Sequence, residues 1–268
     1  MVLAIQVGNA DSVIGGFSQG KRRFTSRIGT DLSKTADEYT VLLQNLLMLN
    51  GCAFEPLDGA VIASVVPPLA PVWREAAARI VNGPVFVVSP GIKTGLNIKI
   101  DDPAILGADL VSTAVGALEK GALPCIIADL GAVTKLSVLD QNGSFLGVSI
   151  LAGVSISLEA LSRSSALLPS VEFSQIDHVI GTNSVDSMLS GALYGTASML
   201  EGMVSRIESE LGLSANVILT GRMAGAIAPY CRLSVTIDEY LSLDGLYSIY
   251  HRNAKAASAG KGKKTHTV

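Results

Sequence analysis

Residues 126–135, Ile-Ile-Ala-Asp-Leu-Gly-Ala-Val-Thr-Lys, constrain this chain most tightly: an apolar strand runs into Asp129, then Gly131 and a turn. A carboxylate at a strand end followed by glycine is a place where backbone approaches a phosphate or where a hydrated cation is held. The N-terminus offers a partial echo, Leu3-Ala4-Ile5-Gln6-Val7-Gly8-Asn9-Ala10, another apolar strand that meets a glycine. Two such strand-and-turn units, one opening each half of the chain, predict a duplicated fold.

The 268 residues suffice for one large domain or two ordinary ones. With 49% hydrophobic and 16% charged residues, much surface must be buried, part of it in a subunit interface, so a dimer is expected. A net charge of −3 gives no electrostatic reason for a nucleic-acid or anionic-membrane partner. Cys52, Cys125 and Cys231 are widely spaced in apolar sequence and read as reduced thiols of a cytoplasmic protein. No positively charged start leads into an apolar h-region, and no apolar run approaches the roughly 18 residues of a membrane span.

In chain order, residues 2–7, 12–17 and 22–27 read as three strands of a meander. A helix is predicted over 35–50, with Thr35 as N-cap, Glu38 as its capping-box partner and Gly51 as the stop. A strand over 60–66 ends at Pro67-Pro68; a helix over 71–81 and a strand over 85–88 follow. Gly107-Ala108-Asp109 introduces a helix over 110–118, where Asp109 could be simply a first-turn carboxylate favoured by the helix dipole. Residues 120–124 combine helix-stop and strand-start signals and mark the boundary between the halves. The expected domains are therefore 1–120 and 121–253.

The second half repeats the plan, with strands over 125–129, 135–140 and 144–151, then helices over 157–164 and 185–207. A strand over 216–220 delivers Gly221, and a helix over 241–252 closes the fold. Residues 254–268 carry Lys255, Lys261, Lys263 and Lys264 without apolar periodicity and are expected to form a disordered tail.

Over residues 2–253 the chain resembles the type III pantothenate kinases. The resemblance rests on ordered signatures: Ala4 to Asn9, Ser64-Val65-Val66-Pro67, Pro103 through Gly107-Ala108-Asp109, Asp129-Leu130-Gly131, Gly181 to Gly191, and Leu241 to Leu246. It implies an α/β fold of two duplicated ribonuclease H-like domains, as in the actin-like ATPases and the acetate and sugar kinases, with mixed sheets flanked by helices. It also implies transfer of the ATP γ-phosphate to pantothenate, the first step toward coenzyme A, with Mg²⁺ and a monovalent cation (K⁺ or NH₄⁺). The family works as a dimer whose pantothenate pocket lies near the subunit interface.

Carried over position by position, the resemblance makes Asp109 the general base and Asp129 the metal ligand. Gln6, Gly8, Asn9, Ala10, Gly131, Ala132 and Gly221 become the nucleotide and phosphate contacts; Gly107, Ala108, Leu110 and Ser184 become the substrate contacts. Several of these depart from the family pattern. In its first phosphate loop, Asp-x-Gly-Asn-Thr, the acid is Gln6 and the threonine Ala10; in the second, Asp-x-Gly-Thr, the threonine is Ala132. The arginine of Gly-x-Asp-Arg is Leu110, which offers no donor to a carboxylate. The Gly-Gly turn near adenosine is Gly221-Arg222, and Pro-Gly is Ala152-Gly153.

Losses that fall on ligand contacts while the scaffold pattern survives predict a catalytically degenerate subunit that works with an active homologous partner, as a heterodimer or homodimer. Two other readings stay open: an active pantothenate kinase with altered metal ligation, for which Asp11 is a replacement acid, and a non-catalytic regulator that binds pantothenate, coenzyme A or a nucleotide.

Overall fold

The computed structural model describes residues 1–261, and side chains up to residue 256. The chain forms two compact units. Unit one comprises Met1–Leu96, Asp101–Lys120 and the closing helix from Leu241; unit two comprises Asn97–Ile100 and Gly121–Tyr240. The closing helix, expected in the second domain, thus belongs to the first unit.

In unit one, β1 (Val2–Val7) lies between β2 (Asp11–Ser18) and β4 (Gly59–Ser64), antiparallel to the first and parallel to the second. With β3 (Lys21–Gly29) and β5 (Val85–Val87) the order is β3-β2-β1-β4-β5. Gln19 and Gly20, with φ of 51° and 77°, make the two-residue turn between β2 and β3, because only left-handed central residues match the strand twist.

The period-two alternation of β1 sends its side chains to opposite faces. Leu3, Ile5 and Val7 pack on α1 (Ala36–Leu49) and α2 (Leu69–Ala78) through Tyr39, Leu43 and Trp73. The Tyr39 and Trp73 rings lie 4.2 Å apart between centroids. The Thr35–Glu38 capping box forms as expected. On the opposite face lie α3 (Ala108–Lys120) and the closing helix α7 (Leu241–Lys261), whose backbones almost touch. A Cβ on Gly245 would stand 1.8 Å from Ser112 O, and one on Gly116 2.2 Å from Leu241 O. Residues 254–261, read as tail, continue α7 as helix; the rest of that stretch lies outside the described residues.

Unit two repeats the arrangement. Here β7 (Cys125–Leu130) is antiparallel to β8 (Val133–Leu139) and parallel to β10 (Asn216–Thr220). The sheet reads β11-β10-β7-β8-β9-β6, where β9 is Ser144–Ala152, β11 Val235–Ile237 and β6 Asn97–Ile98. Leaving aside the added β6 edge, this is the order of unit one. The core joins Ile126, Ala128 and Leu130 to α4 (Val154–Ser164), α5 (Ser184–Leu211) and α6 (Ala224–Ile227). The result is α/β, with two mixed sheets flanked by helices in the duplicated ribonuclease H-like plan. Cys52 and Cys125 are buried and unpaired with sulfur, and burial pushes the Cys125 thiol up to about 12. No helix among the described residues is long and apolar enough to cross a membrane.

Candidate functional site

The candidate residues of unit one gather where β1 ends and α3 begins. Gly8 turns the chain out of β1: its N–H donates to Asp11 O at 2.9 Å. A Cβ on Gly8 would stand 2.7 Å from that same oxygen, so a larger residue has no room there. The turn is tied down by Thr30, whose hydroxyl donates to Gly8 O at 2.8 Å and whose N–H donates to Ala10 O at 3.0 Å. Asn9 and Ala10 at its tip are exposed.

Gln6 points from β1 toward α3 and is hydrogen-bonded to the wholly buried Ser112 Oγ at 3.1 Å. The single Ser112 proton is shared between the Gln6 amide oxygen and the Asp109 carbonyl, 2.9 Å away. Where the resemblance asks for a carboxylate, a neutral amide serves as a strut between strand and helix. Asp11, the replacement acid, is paired with Arg27 at 2.5 Å.

At the start of α3, Gly107 O accepts from Val111 N at 3.0 Å. The Asp109 carboxylate curls back over Gly107, where a Cβ would meet Oδ1 at 2.5 Å. Ala108 and Leu110 flank it, all four residues half-buried. Leu110 brings an apolar side chain where the motif asks for a guanidinium.

In unit two, Asp129, Gly131 and Gly221 come together. Asp129 stands opposite Lys135 across the β7–β8 hairpin, and their side chains form an ion pair at 2.8 Å, each about one-fifth exposed (22% and 17%). The other carboxylate oxygen of Asp129 rests over Gly221. With φ of 83° and a Cβ position only 2.5 Å from Asp129 Oδ1, residue 221 has to be glycine. Arg222 beside it is exposed, as is Ala132 at the tip of the turn. Gly153 seals the turn from behind: its N–H donates to Ala132 O at 3.0 Å, and a Cβ there would stand 2.2 Å from that oxygen.

Ser184 lies on a separate element, exposed in the first turn of α5 next to the N-cap Asn183, whose side chain accepts from Asp186 N at 3.0 Å. A cavity of about 360 Å³ lies elsewhere in unit two, lined by Leu158, Glu159, Arg163, Val171 and Phe173 among others. Its Arg163 is paired with Glu159 at 2.6 Å.

Among the described residues, no three His, Cys, Asp or Glu side chains are grouped to hold a metal ion. The chemistry of the two turns agrees with this: one has no acid of its own at position 6, and the other spends its acid on a lysine. Sequence reasoning passed over Ser112 and Lys135. The second was open to a register argument, because a three-residue turn at 131–133 sets 129 against 135 and opposite charges there attract.

Comparison with solved structures places the fold. A Baf family transcriptional activator from Campylobacter jejuni superposes with a TM-score of 0.60 at 16% identity, covering 94% of this chain and 99% of the other. A 2-dehydro-3-deoxygalactonokinase protein from Sinorhizobium meliloti gives 0.57 at 14% identity with the same coverages. The activator of 2-hydroxyisocaproyl-CoA dehydratase from Clostridium difficile, with bound ADPNP, gives 0.55 at 14% identity over 100% and 99%. At these identities the likeness is one of fold. In sequence, the profile of the type III pantothenate kinases matches residues 2–206. That match spans most of the chain and takes in both phosphate-turn positions, so this protein belongs to the type III pantothenate kinase family.

Proposed function

We propose that this chain is a type III pantothenate kinase-family subunit that keeps the family scaffold, does not phosphorylate pantothenate by itself, and pairs with a competent homologous chain. The family reaction draws on ATP and Mg²⁺, and phosphoryl transfer depends on charge neutralisation around the phosphates. The observation that carries the reading is the state of the two strand-end positions. Gln6 is neutral and bonded to Ser112, and Asp129 is bonded to Lys135.

A divalent ion prefers several oxygen ligands, carboxylates among them. Within each turn the donor set does not fit one. The fold around both turns stays well packed, with α3 and α7 locked by Gly116 and Gly245. A maintained scaffold with altered ligand chemistry is what a supporting subunit needs. Ser184 and the segment 147–156 are the parts proposed to complete a partner's pantothenate site. The nucleotide contacts assigned to Gly8, Asn9, Ala10, Gly131, Ala132 and Gly221, the monovalent cation and the cytoplasmic location belong to the same proposal.

Affinity purification from the native host tests it. A second type III homologue should co-purify in stoichiometric amount, and pantothenate phosphorylation should track the pair. Isolation of this chain alone, or only as copies of itself, contradicts the proposal. A second reading, an active kinase with altered ligation, draws on Asp109, which keeps the general-base position at the first turn of α3. It predicts turnover by the isolated chain that Asp109→Asn abolishes.

A further inference from the structure

We propose that Lys135 is a built-in cation standing where a divalent ion would otherwise be needed, so that the Asp129 turn takes a nucleoside polyphosphate without metal. This rests on the family reading that the β7–β8 turn faces the phosphates, and it names the form of ligand that the turn accepts.

The two oxygens of the Asp129 carboxylate face different neighbours within unit two. Oδ2 is bonded to Lys135 Nζ at 2.8 Å. Oδ1 is packed over the backbone of Gly221, close enough that a Cβ there would be 2.5 Å away. A cation approaching the Oδ2 side of Asp129 must displace an ammonium from a charge-assisted bond in a largely shielded place, and it gains one carboxylate in return. That exchange is unfavourable for Mg²⁺, which gives up its water reluctantly. An ammonium carries three donors around one centre, so it can hold a carboxylate oxygen and a phosphate oxygen together. The lysine is fixed for this by cross-strand register, with 129 opposite 135, and by burial of much of its stem. Beside it, Gly131 and the exposed Ala132 leave the outer side of the turn low and open.

Isothermal titration of the whole chain with ADPNP, in excess EDTA and again in excess Mg²⁺, tests the proposal. The affinity in EDTA should equal or exceed that in Mg²⁺, within about threefold. Lys135→Met keeps the apolar stem and should weaken metal-free binding by about tenfold or more, whereas Lys135→Arg, which keeps the charge, should retain most of it. Equal thermal melting of the three proteins guards against a folding defect. Mn²⁺ titration followed by electron paramagnetic resonance gives a second readout: the native chain should leave Mn²⁺ free, and tight Mn²⁺ binding by it would overturn the inference. Binding that requires Mg²⁺, or metal-free binding indifferent to Lys135→Met, overturns the inference and leaves the family reading of the turn intact. Absence of binding in both buffers also overturns it, and the subunit proposal then stands or falls on co-purification alone.

Discussion

The two strand-end turns occupy equivalent places in equivalent sheets, yet each disposes of its strand-end polar side chain by a different route. In unit one the position is Gln6, an uncharged amide recruited as a brace to Ser112 on α3. In unit two the acid persists as Asp129 but is neutralised from within by Lys135. The first route turns a ligand position into a packing position; the second keeps the charge and changes its partner. A scaffold copied twice can therefore carry a neutral residue at one strand end and a paired acid at the other, and only the second leaves a charged group facing a turn.

The largest effect should come from the glycines that shape the turns. Gly221→Ala must accept a left-handed φ of 83° and a 2.5 Å clash with Asp129, which strain and overpacking together put at about 2–4 kcal/mol. Gly8→Ala meets one backbone oxygen at 2.7 Å, with no left-handed φ to strain it, and should cost about 1–3 kcal/mol. Urea denaturation measures both; the reverse order would mean that the unit-two turn is the looser one.

Removing the polar partners should separate the units further. Asp129→Asn strands a mostly buried ammonium and should cost about 1–3 kcal/mol. Gln6→Ala leaves Ser112 its bond to the Asp109 carbonyl and should cost about 0.5–1.5 kcal/mol. Equal losses would erase the distinction between a pairing and a brace.

The smallest effect marks unit one alone. Hydrogen bonds from Ser248 and then Arg252 hold the Glu119 carboxyl below its ordinary value of 4.5. Its stabilising contribution is therefore present above that value and lost as pH falls from there through the lowered value of the folded protein. Glu119→Gln should lower stability by about 0.5 kcal/mol at pH 7, a size set by its surface exposure. Melting curves of the two proteins should converge once the pH has fallen below the lowered value of the folded protein.

Much of the fold was legible from local chemistry. The capping box at Thr35 and Glu38, the strand meander over residues 2–27 and the repeated strand order all follow from short-range rules. The closing helix ran past its expected end because residues 254–261 are rich in alanine, whose helix propensity acts without an apolar stripe. The short strands β6 and β11 have two and three residues, too few for a period to register. α4 begins at Val154, three residues early, since Gly153 starts it without a side-chain cap. At the site, the loss of the acid at Gln6 was plain in the sequence. Its bond to Ser112, 106 positions away, was not, because tertiary packing alone brings α3 to β1.

Turnover by the isolated chain bears most directly on whether these altered turns still support chemistry. With saturating Mg²⁺-ATP and pantothenate, purified protein should form no phosphopantothenate above the level of an Asp109→Asn control. Phosphorylation at a rate ordinary for a kinase, lost in that control and in Asp129→Asn, would contradict the account.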